Sequence, residues 1–187
     1  MVKNNISTLR KKSVQKKPKI MIGMGTCGLG AGANGVLASI EKELKKQKQS
    51  VDVIRTGCIG MCSHEVLVDV IIPGRTRVTY EGVKPNMVPQ IVEEHIVGGE
   101  VVKKFALSQM YLNGKTSNKY KDVPFFDDLA QNKRQIKHVS RNCGIIDPDS
   151  IEEYIERGGY KALKKALGMK ELAVISEVGM SGLRGRG

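Results

Sequence analysis

Lys19-Ile20-Met21-Ile22 is a short apolar run closed by Gly23, the pattern of a buried strand. From about Ala33 the period changes. Val36, Leu37, Ile40 and Leu44 share one face of a helix, with Lys42, Lys45, Lys46 and Lys48 largely opposite. Val51-Asp52-Val53-Ile54 predicts a second strand, and the β-branched run Val66 to Ile72 a third. Pro73-Gly74 breaks that run, and Arg77-Val78-Thr79-Tyr80 follows as its hairpin partner. Pro85 opens a helix carrying Val88, Ile91, Val92 and Ile96, closed by Gly98-Gly99. Periodicity alone therefore predicts a small α/β domain.

Residues 109–123 are polar and turn-rich and read as a linker. Beyond them the pattern is helical. Asp147 is the expected cap of a helix with Pro148 at its first position and Ile151, Tyr154 and Ile155 on its buried side, ended by Gly158-Gly159. Helices over Tyr160–Leu167 and near Glu171–Val178 follow, and the chain closes on Ser181-Gly182-Leu183-Arg184-Gly185-Arg186-Gly187. These helices have little core of their own to bury. Alternating glycines free backbone N–H groups to turn toward an anion, and arginines add forked donors, so this run suits a phosphate-cradling loop; by itself it equally suits a basic tail.

At 187 residues the chain holds one domain or two small ones. Seven of the positive charges behind the net +12 lie in the first nineteen residues, with no acid among them. Residues 1–17 therefore read as a disordered basic leader. No aromatic residue interleaves these charges for base stacking, which argues against a nucleic-acid partner. No apolar stretch reaches the length of a membrane span and none follows the leader as a signal sequence would, so the expected location is cytoplasmic, at most peripheral to a membrane complex.

Cys58-Ile59-Gly60-Met61-Cys62 sets two thiols three residues apart in a glycine-containing turn between strands, and Cys27 lies in another such turn, Gly25-Thr26-Cys27-Gly28. Turns after neighbouring strands meet at one end of a sheet, so these three sulfurs are the candidate metal ligands. A redox-active dithiol at Cys58 and Cys62 is a further reading, although thioredoxin-type pairs are separated by two residues, not three. Cys143, in Asn-Cys-Gly, reads as a turn position and not a ligand. His95 falls near a helix end, where the dipole favours it, and neither it nor His138 has a partner at ligand spacing.

Asn142-Cys143-Gly144-Ile145-Ile146-Asp147-Pro148, Ser150-Ile151-Glu152-Glu153-Tyr154-Ile155, Gly158-Gly159-Tyr160-Lys161-Ala162-Leu163 and the terminal glycine-arginine run together resemble the flavin- and NADH-binding flavoprotein of complex I-like NADH-quinone oxidoreductases. That family includes the matching subunits of NAD(P)-linked hydrogenases and formate dehydrogenases. The resemblance extends upstream through Glu65 to Val70 and Pro124-Phe125-Phe126, covering roughly residues 18 to 187. It implies an α/β fold: a thioredoxin-like [2Fe–2S] ferredoxin-type domain over 18–108, the linker, and over 124–187 the start of an FMN- and NADH-binding domain.

The resemblance also implies electron transfer from NADH through FMN to iron–sulfur clusters, beside other subunits of an NADH dehydrogenase or hydrogenase complex. Gly182, Arg184, Gly185, Arg186 and Gly187 would belong to the flavin and NADH phosphate loop. No side chain stands out as a catalytic acid or base, and the chain alone is not expected to oxidise NADH, since most of the flavin domain is absent. One departure stands out. The first cysteine turn of the family carries two cysteines four residues apart, and here only Cys27 is present. Cys27, Cys58 and Cys62 leave a four-thiolate cluster one ligand short. His64 completing a cluster, a Cys3His zinc site, and a domain kept for docking without a cluster are the three ways to read this. An electron-transfer or docking module serving a separate flavin protein is the alternative function, and a basic, zinc-containing RNA-binding protein a third.

Overall fold

The computed structural model describes residues 17–111 and 118–185. These fall into two compact units, one ending at Pro148 and one starting at Asp149. Apart from Lys17, the expected basic leader lies outside the described residues.

The first unit is a five-stranded mixed sheet in the order β2-β1-β3-β4-β5. The strands are β1 (Lys19–Gly23), β2 (Asp52–Thr56), β3 (Val68–Ile71), β4 (Arg77–Tyr80) and β5 (Ala106–Met110). β1 and β2 are parallel, because helix α2 (Ala33–Lys46) carries the chain back between them; the other pairs are antiparallel. The order strand, helix, strand, strand, strand, helix expected of the thioredoxin-like α/β arrangement is thus present, with β5 added at the edge.

Period-2 alternation splits the sheet into two unlike faces. Ile20 and Ile22, Val68 and Val70, and Val78 and Tyr80 face one core with Val36, Leu37, Ile40 and Leu44 of α2. Val88, Ile91, Val92 and Ile96 belong to the same core. They lie on α3 (Val88–Gln90) and on the wider π-helical turns Ile91–Val97 that continue it. The intervening positions form the second face: Met21, Ile54 and Ile71 pack together, and Asp69, Arg77 and Thr79 are buried beside them.

The stretch expected as a linker is tied down at both ends. Gln109 and Met110 belong to β5, and Tyr120 and Val123 are core residues. Gln109 explains this. Its amide accepts from the Thr76 hydroxyl at 2.8 Å and the Tyr120 N–H at 2.9 Å, and donates to the carbonyls of Tyr120 at 2.9 Å and Val123 at 2.6 Å. Residues 124–148 belong to this unit as well; Phe126 packs with Met61 and Leu67. The division therefore falls later than polar composition suggests, because a single buried amide clips a polar segment to the sheet edge.

In the second unit α4 runs Ile151–Glu156, α5 Lys161–Ala166 and α6 Glu171–Met180. The cap of α4 is Ser150, not Asp147. Ser150 with Glu153 three residues on is the capping-box pair, and its hydroxyl accepts the Glu153 N–H at 3.2 Å. Of the side of α4 expected to be buried, Ile151 and Tyr154 are exposed and Ile155 is half-buried; Leu163, Leu167, Leu172, Ile175 and Val178 on the following helices are exposed as well. No helix among the described residues is long and apolar enough to cross a membrane.

Candidate functional site

The three cysteines singled out by spacing lie at the ends of β1 and β2. Cys27 sits on α1 (Thr26–Gly30), a short helix where a turn was expected. The two turns do meet: a Cβ added at Gly25 would lie 3.1 Å from the Cys58 backbone nitrogen. Within the second turn the Cys58 and Cys62 sulfurs are 3.7 Å apart, and the Gly60 N–H donates to the Cys58 sulfur at 3.2 Å. All four cysteines, Cys143 included, are exposed and unbridged.

Beneath the turns lies a polar layer that hydropathy did not reveal. The Arg77 guanidinium, buried in the sheet, donates to the Asp69 carboxylate and to the Gly144 carbonyl. Asp69 also accepts from Thr79. Arg77 thereby seats the Cys143-Gly144 turn on the cysteine loop, where any side chain at Gly144 would collide with Ile59. Lys137 adds a second tie, donating to the Ile59 carbonyl at 3.3 Å while lying over the Phe126 ring. A cleft of about 220 Å³ remains here, lined by Ile59, Phe126, Lys137, Arg141 and Cys143 among others. The signal for this layer was positional: Asp69, Arg77 and Thr79 occupy the alternate positions of two paired strands, and Asp69 is in register with Thr79.

His64, which figures in two of the three readings of the missing ligand, contacts other side chains. Its Nδ1 meets the Glu81 carboxylate, and its Nε2 lies 3.2 Å from the Gln131 amide nitrogen. Glu65 next to it accepts the Leu67 N–H at 3.0 Å; burial holds its carboxyl above the usual range, an effect the hydrogen bond partly offsets.

His95 proves to be a core residue. Tyr80 and Tyr120 place their hydroxyls 2.8 and 2.9 Å from its two ring nitrogens. Burial, assisted by the nearby Arg75 charge, pushes its pKa down to about 4. The ring is neutral at pH 7 and serves the core, not a site.

The described part of the terminal run (Gly182, Arg184, Gly185) is exposed after α6, with Gly182 at a φ of 65°. Arg186 and Gly187 lie outside the described residues.

No protein-family model matches the chain. Among curated proteins it is 36% identical over 74 residues to a 2Fe–2S ferredoxin of Clostridium pasteurianum, covering 38% of this chain and 70% of that one. The chain belongs to that ferredoxin family. This ferredoxin-family chain is also 51% identical over 55 residues to the NADP-reducing hydrogenase subunit HndC of Solidesulfovibrio fructosivorans, spanning 29% of itself and 11% of HndC. To subunit HndB of the same organism it is 27% identical over 95 residues, or 50% and 75% of the two chains. Among solved structures, a thioredoxin-like [2Fe–2S] ferredoxin from Aquifex aeolicus aligns with a TM-score of 0.45 at 23% identity, over 51% of this chain and 94% of that one.

Membership raises the question of whether the residues present fit a cluster. Two sulfurs on one tetrahedral metal at about 2.3 Å stand about 3.7 Å from each other, and Cys58 with Cys62 reproduce that edge. The remainder does not follow. Among the described residues no group of three or more Cys, His, Asp or Glu side chains is gathered in a way that could hold a metal ion. His64 meets Glu81 through Nδ1 and lies against Gln131 through Nε2, and it joins no such group. The ferredoxin-family unit presents half a cluster site and not a four-ligand cage.

Proposed function

We propose that this chain is the N-terminal part of the flavin subunit of an NAD(P)-linked hydrogenase-type complex. Its ferredoxin-family unit docks onto partner subunits, and its second unit leads into an FMN- and NADH-binding domain. The carrying observation is the 51% identity to HndC over 55 residues in a chain that also belongs to the ferredoxin family. The open apolar sides of α4, α5 and α6 support the reading, since helices with Leu163, Leu167 and Ile175 exposed need a further body to cover them. Gly182, Arg184, Gly185, Arg186 and Gly187 are the proposed start of the phosphate loop. FMN and NAD(H) would supply the hydride chemistry when bound, and the chain's own residues would hold their phosphates. The proposed location is cytoplasmic.

The cysteine turns suit docking on geometric grounds. Their sulfurs are exposed while the loop is held by Gly144 and Lys137, so a partner meets a fixed surface. No electron step is routed through a cluster, because the ligands present do not complete one. The test is co-expression of the tagged chain with the remaining subunits of an NAD(P)-linked hydrogenase. The expected result is stoichiometric co-purification, with no NADH:acceptor activity from the 187-residue chain by itself. Partners that assemble and function without the chain, or NADH oxidation by the isolated chain, would overturn the proposal.

A further inference from the structure

We propose that the Cys58–Cys62 turn is a two-electron dithiol/disulfide centre whose co-substrate is a low-molecular-weight or protein disulfide. The proposal stands on the turn itself and not on any partner complex. Four observations carry it. The two sulfurs lie 3.7 Å apart, so closing to the roughly 2.05 Å of a disulfide needs a local adjustment and no refolding. Both cysteines are exposed, so an incoming disulfide can reach them. Between them Gly60 sits at a φ of 88°, a conformation open to glycine, and its N–H fixes the Cys58 sulfur at 3.2 Å. Finally, no third Cys, His, Asp or Glu among the described residues joins the pair to hold a metal.

A pair with this geometry and no completing ligands is left with the chemistry that two thiols perform by themselves. The flanking anchors suit it: Lys137 and Gly144 grip Ile59, one residue from Cys58, while Gly60 leaves the loop a pivot.

The exchange balances without a further reagent. One sulfur of the pair attacks a sulfur of R–S–S–R, forming a mixed disulfide and releasing one R–S⁻. The second sulfur then attacks the first, forming the Cys58–Cys62 bond and releasing the other R–S⁻. The two protons lost by the cysteines go to the released thiolates, and two electrons pass from the chain to the co-substrate. Reduction by a dithiol runs the same steps backwards.

The test begins with the wild-type chain, purified anaerobically and assayed for iron, acid-labile sulfide and zinc. Stoichiometric metal on the protein would overturn the proposal, because the sulfurs would then be ligands; the same result leaves the docking function intact. The full chain carrying Cys27→Ser and Cys143→Ser is next equilibrated with oxidised glutathione and read by thiol titration and intact mass. Both remaining thiols are expected to vanish together, leaving a monomer two hydrogens lighter with no retained glutathione. Adding Cys62→Ser should leave a glutathione adduct on Cys58, released at least ~10-fold more slowly than when Cys62 can displace it. Glutathione retained on both sulfurs of the two-cysteine chain, or disulfide-linked dimers in place of the closed monomer, would refute the assignment. All substituted positions are exposed, and far-UV circular dichroism checks that each variant keeps the fold.

Discussion

Acid should weaken this fold through one side chain, His95. The ring is fully buried, with Tyr80 and Tyr120 on its two nitrogens and the Arg75 charge acting on it. The Val102 N–H donates to the Tyr80 oxygen at 3.3 Å, so the assignment that satisfies all three groups has Tyr80 donating to Nδ1 and Nε2–H donating to Tyr120. A second ring proton at Nδ1 would face the Tyr80 hydroxyl hydrogen and would bring a charge into the core. Above the unfolded pKa of 6.5 both states carry a neutral ring and nothing is lost. As pH falls from 6.5 toward the folded value of about 4, the unfolded chain takes a proton that the folded one refuses, and stability drops. Linkage between those two values costs about 2 kcal/mol at pH 5 and about 3 kcal/mol at pH 4.

Urea unfolding followed by circular dichroism at pH 7, 5 and 4 measures this directly, compared with His95→Gln. Glutamine keeps one donor and one acceptor for the two tyrosines and carries no titratable group. It should cost about 1–2 kcal/mol at pH 7 and then lose about 3 kcal/mol less than wild type on going to pH 4. Glu65, held above its ordinary value by burial, works in the opposite sense: the folded chain takes its proton first and regains stability in acid. That contribution is common to both proteins and cancels in the difference. Parallel pH profiles for wild type and His95→Gln would refute the reasoning.

Asp69→Ala would strip the buried Arg77 of its counter-charge and should cost ~3–5 kcal/mol in urea unfolding, whereas replacing both with apolar residues of similar volume should recover most of it; a loss under about 1 kcal/mol would mean that Arg77 finds water. Gly144→Ala combines a φ of 67° with a collision at Ile59, and should cost ~1–3 kcal/mol while opening the 140–145 turn to proteolysis. Combining it with Ile59→Ala should restore part of the loss, and strict additivity would show that the two residues do not touch.

Much of the fold could be read from the chain because its first core face obeys the rules of periodicity. The β1, β3 and β4 runs alternate, and Val36, Leu37, Ile40 and Leu44 mark α2 as plainly as a helix can be marked. His95 was legible too: counted from Val88 with Ile91, Val92 and Ile96 it falls within the same apolar stripe, and its proximity to a helix end obscured that. β5 was not legible. Its inward residues Ser108 and Gln109 are polar, and Gln109 is stable there through partners that sequence spacing does not reveal. At the cysteine turns, spacing identified Cys58 with Cys62 and predicted that the Cys27 turn would lie alongside. Nothing local indicated that Cys143 would be brought to the same loop, because that contact depends on Arg77 reaching Gly144 across 67 residues.

The two faces of the sheet divide the work. The α2 face is mainly apolar, and its buried polar side chains His95 and Gln109 are satisfied within it by Tyr80, Tyr120 and Val123. On the other face, Asp69, Arg77 and Thr79 carry a desolvation cost that an apolar set would avoid. What that cost supplies is direction: a guanidinium has a fixed fork, so Arg77 sets where the Gly144 carbonyl lies, and the Gly144 backbone in turn sets where Ile59 packs. The polar layer therefore positions the loop that carries Cys58 and Cys62 without touching either sulfur. In this ferredoxin-family unit a buried ion pair fixes the position of the loop that carries Cys58 and Cys62. Both of the proposed roles, docking and thiol exchange, depend on that position.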